Sequence, residues 1–367
     1  MTSQTQRITW PDNLRALATL AVVVLHVSSS VLYEFEKVSS FDWWTGNIYD
    51  SLVRWCVPIF LMVTGALLIP KQDTFSEFLQ KRFGRIFLPF AFWSFIYLIL
   101  LLYKHIMYGN EMGTLNIVQI LYRGSSYHLW YIYMLLGVYI ILPLISIKLQ
   151  KFSNKNIVYL LLIWFVILGL NYIPDFHLKP AVHVFIGYVG YTILGYYLSK
   201  KKMSSGLGII FFLIGFIITA LGTFQLSNQQ HSFNDLLYKY TTPHIALMAA
   251  GIFILVKNNS VIGRRNDEAP DKYRDSQGSR MEIASSPTHT ANPSFLAMTG
   301  KNIIAQHSLG IYLIHVLILE ILNSFGLDWY FVNPMVGIPL TSICCLGIST
   351  AIVYYCSKNA VGKYIFG

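Results

Sequence analysis

Trp10-Pro11-Asp12-Asn13-Leu14-Arg15-Ala16-Leu17-Ala18-Thr19-Leu20-Ala21-Val22-Val23-Val24-Leu25-His26-Val27 is the stretch whose reading decides the fold. Pro11 suits the first turn of a helix, where its missing N–H costs nothing. The apolar run that follows predicts a membrane-crossing helix over about residues 12–33. Two ionisable side chains interrupt it, Arg15 and His26, eleven residues apart. A helix turns 100° per residue, so eleven steps return His26 to within about 20° of the direction of Arg15. The pair shares one stripe, about 16 Å apart along the axis. A charge within a membrane helix costs roughly 2.5–3.5 kcal/mol at its centre, so such residues face a cavity or a partner.

Composition carries the same class to the rest of the chain. Its 367 residues are 54% hydrophobic and only 12% charged, where a soluble protein has about 25% charged residues. Spans of about 20 apolar residues fit a hydrocarbon core about 30 Å thick. Ten are read, near 12–33, 48–69, 86–107, 128–147, 156–173, 182–199, 206–224, 240–257, 304–323 and 334–356. The expectation is an all-α integral membrane protein, a bundle of about ten transmembrane helices forming one polytopic domain over 1–367. Of the 27 Lys and Arg residues, twenty fall in alternate connections on the N-terminal side and six on the other. The positive-inside rule therefore places both termini in the cytoplasm.

The net charge of +10 is spread over short basic runs between spans rather than one patch, which excludes nucleic acid as the natural partner and leaves membrane lipids. A signal-peptide reading of the N-terminus is set aside, because Arg15 lies within the apolar core and nine spans follow. Residues 258–300, polar and without helical periodicity, read as a flexible cytoplasmic loop between spans eight and nine. The sequon Asn258-Asn259-Ser260 then has no meaning on that side of the membrane. The semi-polar stretch Tyr108 to Tyr127 reads as partly re-entrant. Cys56, Cys344, Cys345 and Cys356 show no C-x-x-C pair or Cys/His ligand spacing, so neither a disulfide framework nor a metal site is expected.

Several side chains can carry chemistry, each with a plainer role beside it. Arg15 can snorkel to the interface, whereas His26, deeper in the span, is an imidazole suited to taking a proton from a hydroxyl. Arg82 and Arg85, at i and i+3, share one helix face, where they contact lipid headgroups or clamp phosphates. Asp50 and Arg54, at i and i+4, can pair, and Arg54 can also face an external substrate. Pro58 through Gly65 invites a kink or close helix contact. An aromatic belt accounts for Trp130 but not for its neighbour His128. His315 is a further mid-span histidine, with Glu320 nearby.

Taken together, Arg15-x10-His26, Pro58-Ile59-Phe60 with Gly65, Arg82-x-x-Arg85, His128-Leu129-Trp130-Tyr131 and Ser308-Leu309-Gly310-Ile311-Tyr312 with His315 resemble the membrane acyltransferase type 3 family over nearly the whole chain. The resemblance implies a bacterial inner-membrane O-acetyltransferase. It would take acetyl-CoA as donor, without a metal, and a sugar hydroxyl of a surface glycan or lipid-linked precursor as acceptor. In that reading Arg82 and Arg85 hold the CoA phosphates, and Arg15 extends the positive path toward His26, the general base. Arg54, His128, Trp130 and His315 surround the acceptor. Direct attack and an acetyl-histidine intermediate both stay open. The rival reading is a secondary transporter or glycan exporter, for which buried His, Arg and Glu speak. Against it stand the lack of an internal repeat and of paired broken helices. A third is an inactive scaffold using the long loop.

Overall fold

The computed structural model describes residues 9–112, 124–170, 172, 180–267 and 302–367, all of them helix, turn or connection, with no strand among the described residues. Its first helix, α1 (Trp10–Leu32), starts with Pro11 in its first turn, as expected. At 1.5 Å per residue it is about 34 Å long, enough to cross a bilayer core.

The second expected span is one element in two pieces, α2 (Ser40–Val53) and α3 (Cys56–Leu68). The break at Arg54–Trp55 has a local cause. Pro58 offers no N–H to the carbonyl of Arg54, four residues back, and its ring crowds that carbonyl. Next come α4 (Phe75–Met112), α5 (Trp130–Lys151) after a single 3-10 turn at Tyr127–Leu129, α6 (Asn154–Leu170), α7 (Pro180–Lys200), α8 (Ser205–Gln230) and α9 (Pro243–Asp267). The chain ends with α10 (Ile303–Gln306), α11 (Ser308–Ser324), α12 (Pro334–Cys356) and α13 (Ala360–Phe366).

Each of the ten expected spans overlaps one of these helices. Among the described residues, seven helical segments are long and apolar enough to cross a membrane, and α6 and α11 are shorter apolar helices. Most of the stretch 108–127, expected to re-enter, lies outside the described residues.

The polar segment begins later than expected. The loop is expected from Asn258, but α9 continues to Asp267. Lys257 Nζ donates to the carbonyls of Leu198, Ser199 and Lys201, each at 2.7 Å, and so caps the end of α7. The Asn258 amide donates to Met203 O at 2.9 Å, and Ser260 Oγ accepts from Asn13. These anchors commit residues 257–260 to the bundle. Residues 268–301 lie outside the described residues.

α1 packs against α2, α3, α9, α10, α11 and α12. Being surrounded, it turns its Arg15–His26 stripe toward protein rather than lipid. α3 lies very close against α7. A Cβ on Gly65 would lie 1.9 Å from Thr192 O, and one on Gly195 would lie 2.0 Å from Met62 O. This is the close contact expected at Gly65, and only two glycines facing each other's backbones permit it. Of the free cysteines, Cys56 and Cys345 are buried, as small hydrophobes are.

Candidate functional site

His26 comes out of the middle of α1 into a group of rings from two other segments. The ring of His315, from α11, has its centroid 5.1 Å away, and that of Tyr127, from the 3-10 turn, is 5.2 Å away. His128, on the same turn, lies 5.4 Å from His315. Three histidines that the sequence scatters over 290 residues therefore meet at one point; among the described residues no group is arranged to hold a metal ion.

Each of the two partner histidines is fixed on one edge. Ser126 Oγ bonds His128 Nδ1 at 2.9 Å, and His315 Nδ1 donates to Tyr312 O at 2.6 Å. Their outer edges are bare: Nε2 of both His128 and His315 is buried without a hydrogen-bond partner. His26 and His128 line a small chamber together with Trp130, Phe60, Tyr131 and Tyr312. Trp130 is held there by stacking on Tyr240, centroids 5.9 Å apart.

The arginines form a second cavity, toward the N-terminal end of α1. Arg15, Arg82 and Arg85 all line it, and it is partly open to the surroundings. Arg15 also pairs with Asp12 at 3.4 Å. Arg82 Nε is buried and lacks an acceptor. The local potential is positive enough to be felt nearby. The ammonium of Lys71, in the turn before α4, is pushed below its ordinary range by burial first and then by the Arg82 guanidinium. Phe60, Tyr131 and Tyr312 line both this cavity and the histidine chamber. A wall one aromatic ring thick therefore separates the cationic cavity from His26.

A third cavity opens on the other side of His26 and is lined by Ser30, Tyr127, Glu320, Asn323 and Trp329. Glu320 pairs with Lys104 at 2.9 Å across its rim. His26 borders both the chamber and this third cavity, so space is available to it from both ends of α1.

Arg54 lines none of these three cavities. Its guanidinium is paired with the fully buried carboxylate of Asp50 and lies 4.1 Å from the centroid of Tyr238. It is one ring removed from the chamber: Tyr240 lines that space and lies 6.0 Å from the guanidinium. The i, i+4 pairing expected from sequence is present, while contact between Arg54 and the cavity is not.

The expected set His26, His128, Trp130 and His315 is thus brought together, and Arg15, Arg82 and Arg85 form a second group beside it. Sequence reading left out Tyr127, Phe60, Tyr131 and Tyr240 as site residues. In the sequence they look like belt and core aromatics. Nothing in their spacing distinguishes a cavity wall from a lipid-facing ring. Asn323 and Trp329 were equally silent.

Fold and site define a polytopic helical membrane protein built around a buried histidine chamber next to an arginine-lined cavity. Residues 8–266 match the model of the acyltransferase type 3 domain, and the chain belongs to that family. It is a membrane acyltransferase, which leaves the transporter reading without support. No curated protein and no solved structure matches the chain. The match stops before α11, so Tyr312 and His315 enter the site from outside the matched segment.

Proposed function

We propose that the protein transfers an acetyl group from acetyl-CoA to a sugar hydroxyl of a surface glycan or its lipid-linked precursor, and that about ten of its helical segments span a bacterial inner membrane with both termini in the cytoplasm. The observation that carries this reading is the shared aromatic wall. Three guanidinium groups line one cavity, and Phe60, Tyr131 and Tyr312 divide it from the chamber of His26.

The chemistry follows from that layout. Arg82 and Arg85 take the CoA phosphates, since guanidinium forks bind phosphate bidentately. Arg15 continues the positive path inward. The pantetheine arm passes the aromatic wall and brings the thioester to His26, a distance of about 16 Å along α1. The acceptor enters from the side of Glu320, Asn323 and Trp329, with His128 and Trp130 against it. His26 takes the hydroxyl proton as the oxygen attacks the thioester carbonyl, and CoA leaves as a thiolate. Holding both substrates in a closed chamber supplies much of the remaining acceleration.

The test is acetyl-CoA consumption and acetyl-glycan formation by the purified protein in lipid nanodiscs. His26→Ala should lower transfer by about 10²–10⁴-fold while acetyl-CoA still binds. Wild-type rates in that variant would remove His26 from the reaction.

A further inference from the structure

His315 is fully buried at 0% exposure, yet half of its polar capacity is unused. A backbone carbonyl only accepts, so the 2.6 Å contact with Tyr312 O makes Nδ1 of His315 the donor. In the neutral ring, Nε2 is then an acceptor, and it has no partner. Buried acceptors without a donor are rare and need an explanation.

The donors around His315 are largely committed. The Tyr312 hydroxyl donates to His128 O. Tyr97 Oη donates to Leu313 O at 2.8 Å and accepts from Leu317 N at 3.3 Å. The tyrosine is inserted between an i, i+4 pair of the helical ladder, across the turn that carries His315, and so fixes that turn. Cys345 Sγ is turned to the His315 carbonyl at 3.4 Å and Thr19 Oγ1 donates to Arg15 O, which leaves the rings of His26 and His128 beside the imidazole.

Geometry favours His26. Two imidazoles joined edge to edge by an N–H···N bond of about 2.9 Å have centroids about 5.1 Å apart, once each ring's radius of about 1.1 Å is added. The His26 and His315 centroids are 5.1 Å apart, tilted by 33°. The centroid spacing is the one such a bond needs, and the bond forms when the His26 ring turns an N–H edge toward His315 Nε2. Catalytic hydrogen bonds commonly tighten in this way once substrate is bound.

We propose that His315 is a positioning residue. Its Nε2 accepts the N–H of one His26 nitrogen and thereby holds His26 in the tautomer whose other nitrogen is free to act as base. This rests on the acyltransferase reading above and adds a role to a residue outside the family-matched segment. In the step it serves, the acceptor O–H bond breaks and its proton passes to the free nitrogen of His26. The oxygen bonds to the acyl carbon, the C–S bond breaks, and the departing thiolate receives the proton. His315 neither gives up nor gains a proton over the cycle; it stabilises the transient imidazolium, as an orienting acceptor does in a catalytic triad.

The experiment compares wild type, His315→Gln and His315→Leu, each labelled with ¹⁵N-histidine in nanodiscs. It reads the His26 nitrogen shifts, assigned with His26→Gln, and the kinetics with acetyl-CoA and lipid-linked glycan extract. Wild-type His26 should show a single tautomer. The His315→Leu side chain offers no acceptor, so His26 should become a mixture and kcat should fall by about 10–100-fold, with the acetyl-CoA KM unchanged. The amide oxygen of His315→Gln should restore the tautomer and most of kcat. A mixed tautomer in wild type, equal losses in both variants, or a change confined to the His128 resonances would overturn the proposal. If wild type shows a single His26 tautomer that depends on His315 but consumes no acetyl-CoA, the acyltransferase reading fails while the His26–His315 pairing stands.

Discussion

The hydroxyl of Tyr312 donates a hydrogen bond to the backbone carbonyl of His128. One bond thus ties α11 to the 3-10 turn that presents His128, and the same phenol ring walls both the arginine cavity and the histidine chamber. Fixing the wall and fixing the site are one act in this protein.

Tyr312 variants separate those two duties. Tyr312→Phe keeps the wall and loses the bond, which should cost about 0.5–1.5 kcal/mol of stability with transfer largely retained. Tyr312→Ala removes the wall and lets water from the larger cavity reach the chamber. Acetyl-CoA hydrolysis without acceptor should then rise above the wild-type rate, measured as free thiol released. Unchanged hydrolysis in Tyr312→Ala would show that the ring is not the partition.

Arg82 and Arg85 line the cavity that the donor is proposed to fill. Hydrogen bonds to charged groups contribute about 1.5–3 kcal/mol, so Arg82→Ala or Arg85→Ala should raise the acetyl-CoA KM by about 10–100-fold. Lysine at either position should recover only part, because it lacks the planar fork. Transfer from a short acetyl-pantetheine thioester, which carries no nucleotide phosphates, should be insensitive to both changes. Sensitivity of that short donor would contradict phosphate binding.

Asp50 and Arg54 form a buried pair, and breaking one side leaves the other uncompensated. Arg54→Met should destabilise the protein by about 3–5 kcal/mol, seen as a large fall in thermal midpoint in detergent. Adding Asp50→Asn to Arg54→Met should restore most of that loss. A double variant no better than the single would mean that Arg54 is needed for something other than its partner.

Gly65 has no room for a side chain. A Cβ there would overlap Thr192 O at 1.9 Å, a backbone atom that can move only with its helix. Gly65→Val should force α3 and α7 apart and destabilise by at least the roughly 1–3 kcal/mol typical of overpacking. Gly206, where a Cβ would meet nothing within 4 Å, should accept Ala with little change and serves as the control.

The membrane class, the helix placement and the two polar poles of α1 were legible in the sequence because each depends on local order. Apolar run length, the 3.6-residue period and the alternation of basic connections are all properties of neighbouring residues. The i, i+4 pair Asp50–Arg54 and the i, i+3 pair Arg82–Arg85 were legible for the same reason. The length of α9, which runs on to Asp267, was not legible locally. Lys257 and Asn258 look like loop residues until their partners at the end of α7 and in the connection after it are known.

Tertiary structure alone decided that His26, His128 and His315 meet, that Phe60, Tyr131 and Tyr312 form the wall, and that Arg54 is committed to Asp50. Those outcomes depend on which helix faces pack together. An imidazole in the middle of an apolar span carries no mark of the helix it will face. Sequence order sets the period of a stripe, whereas the neighbours of that stripe are set by close contacts such as Gly65 on Thr192, made between residues far apart in the chain.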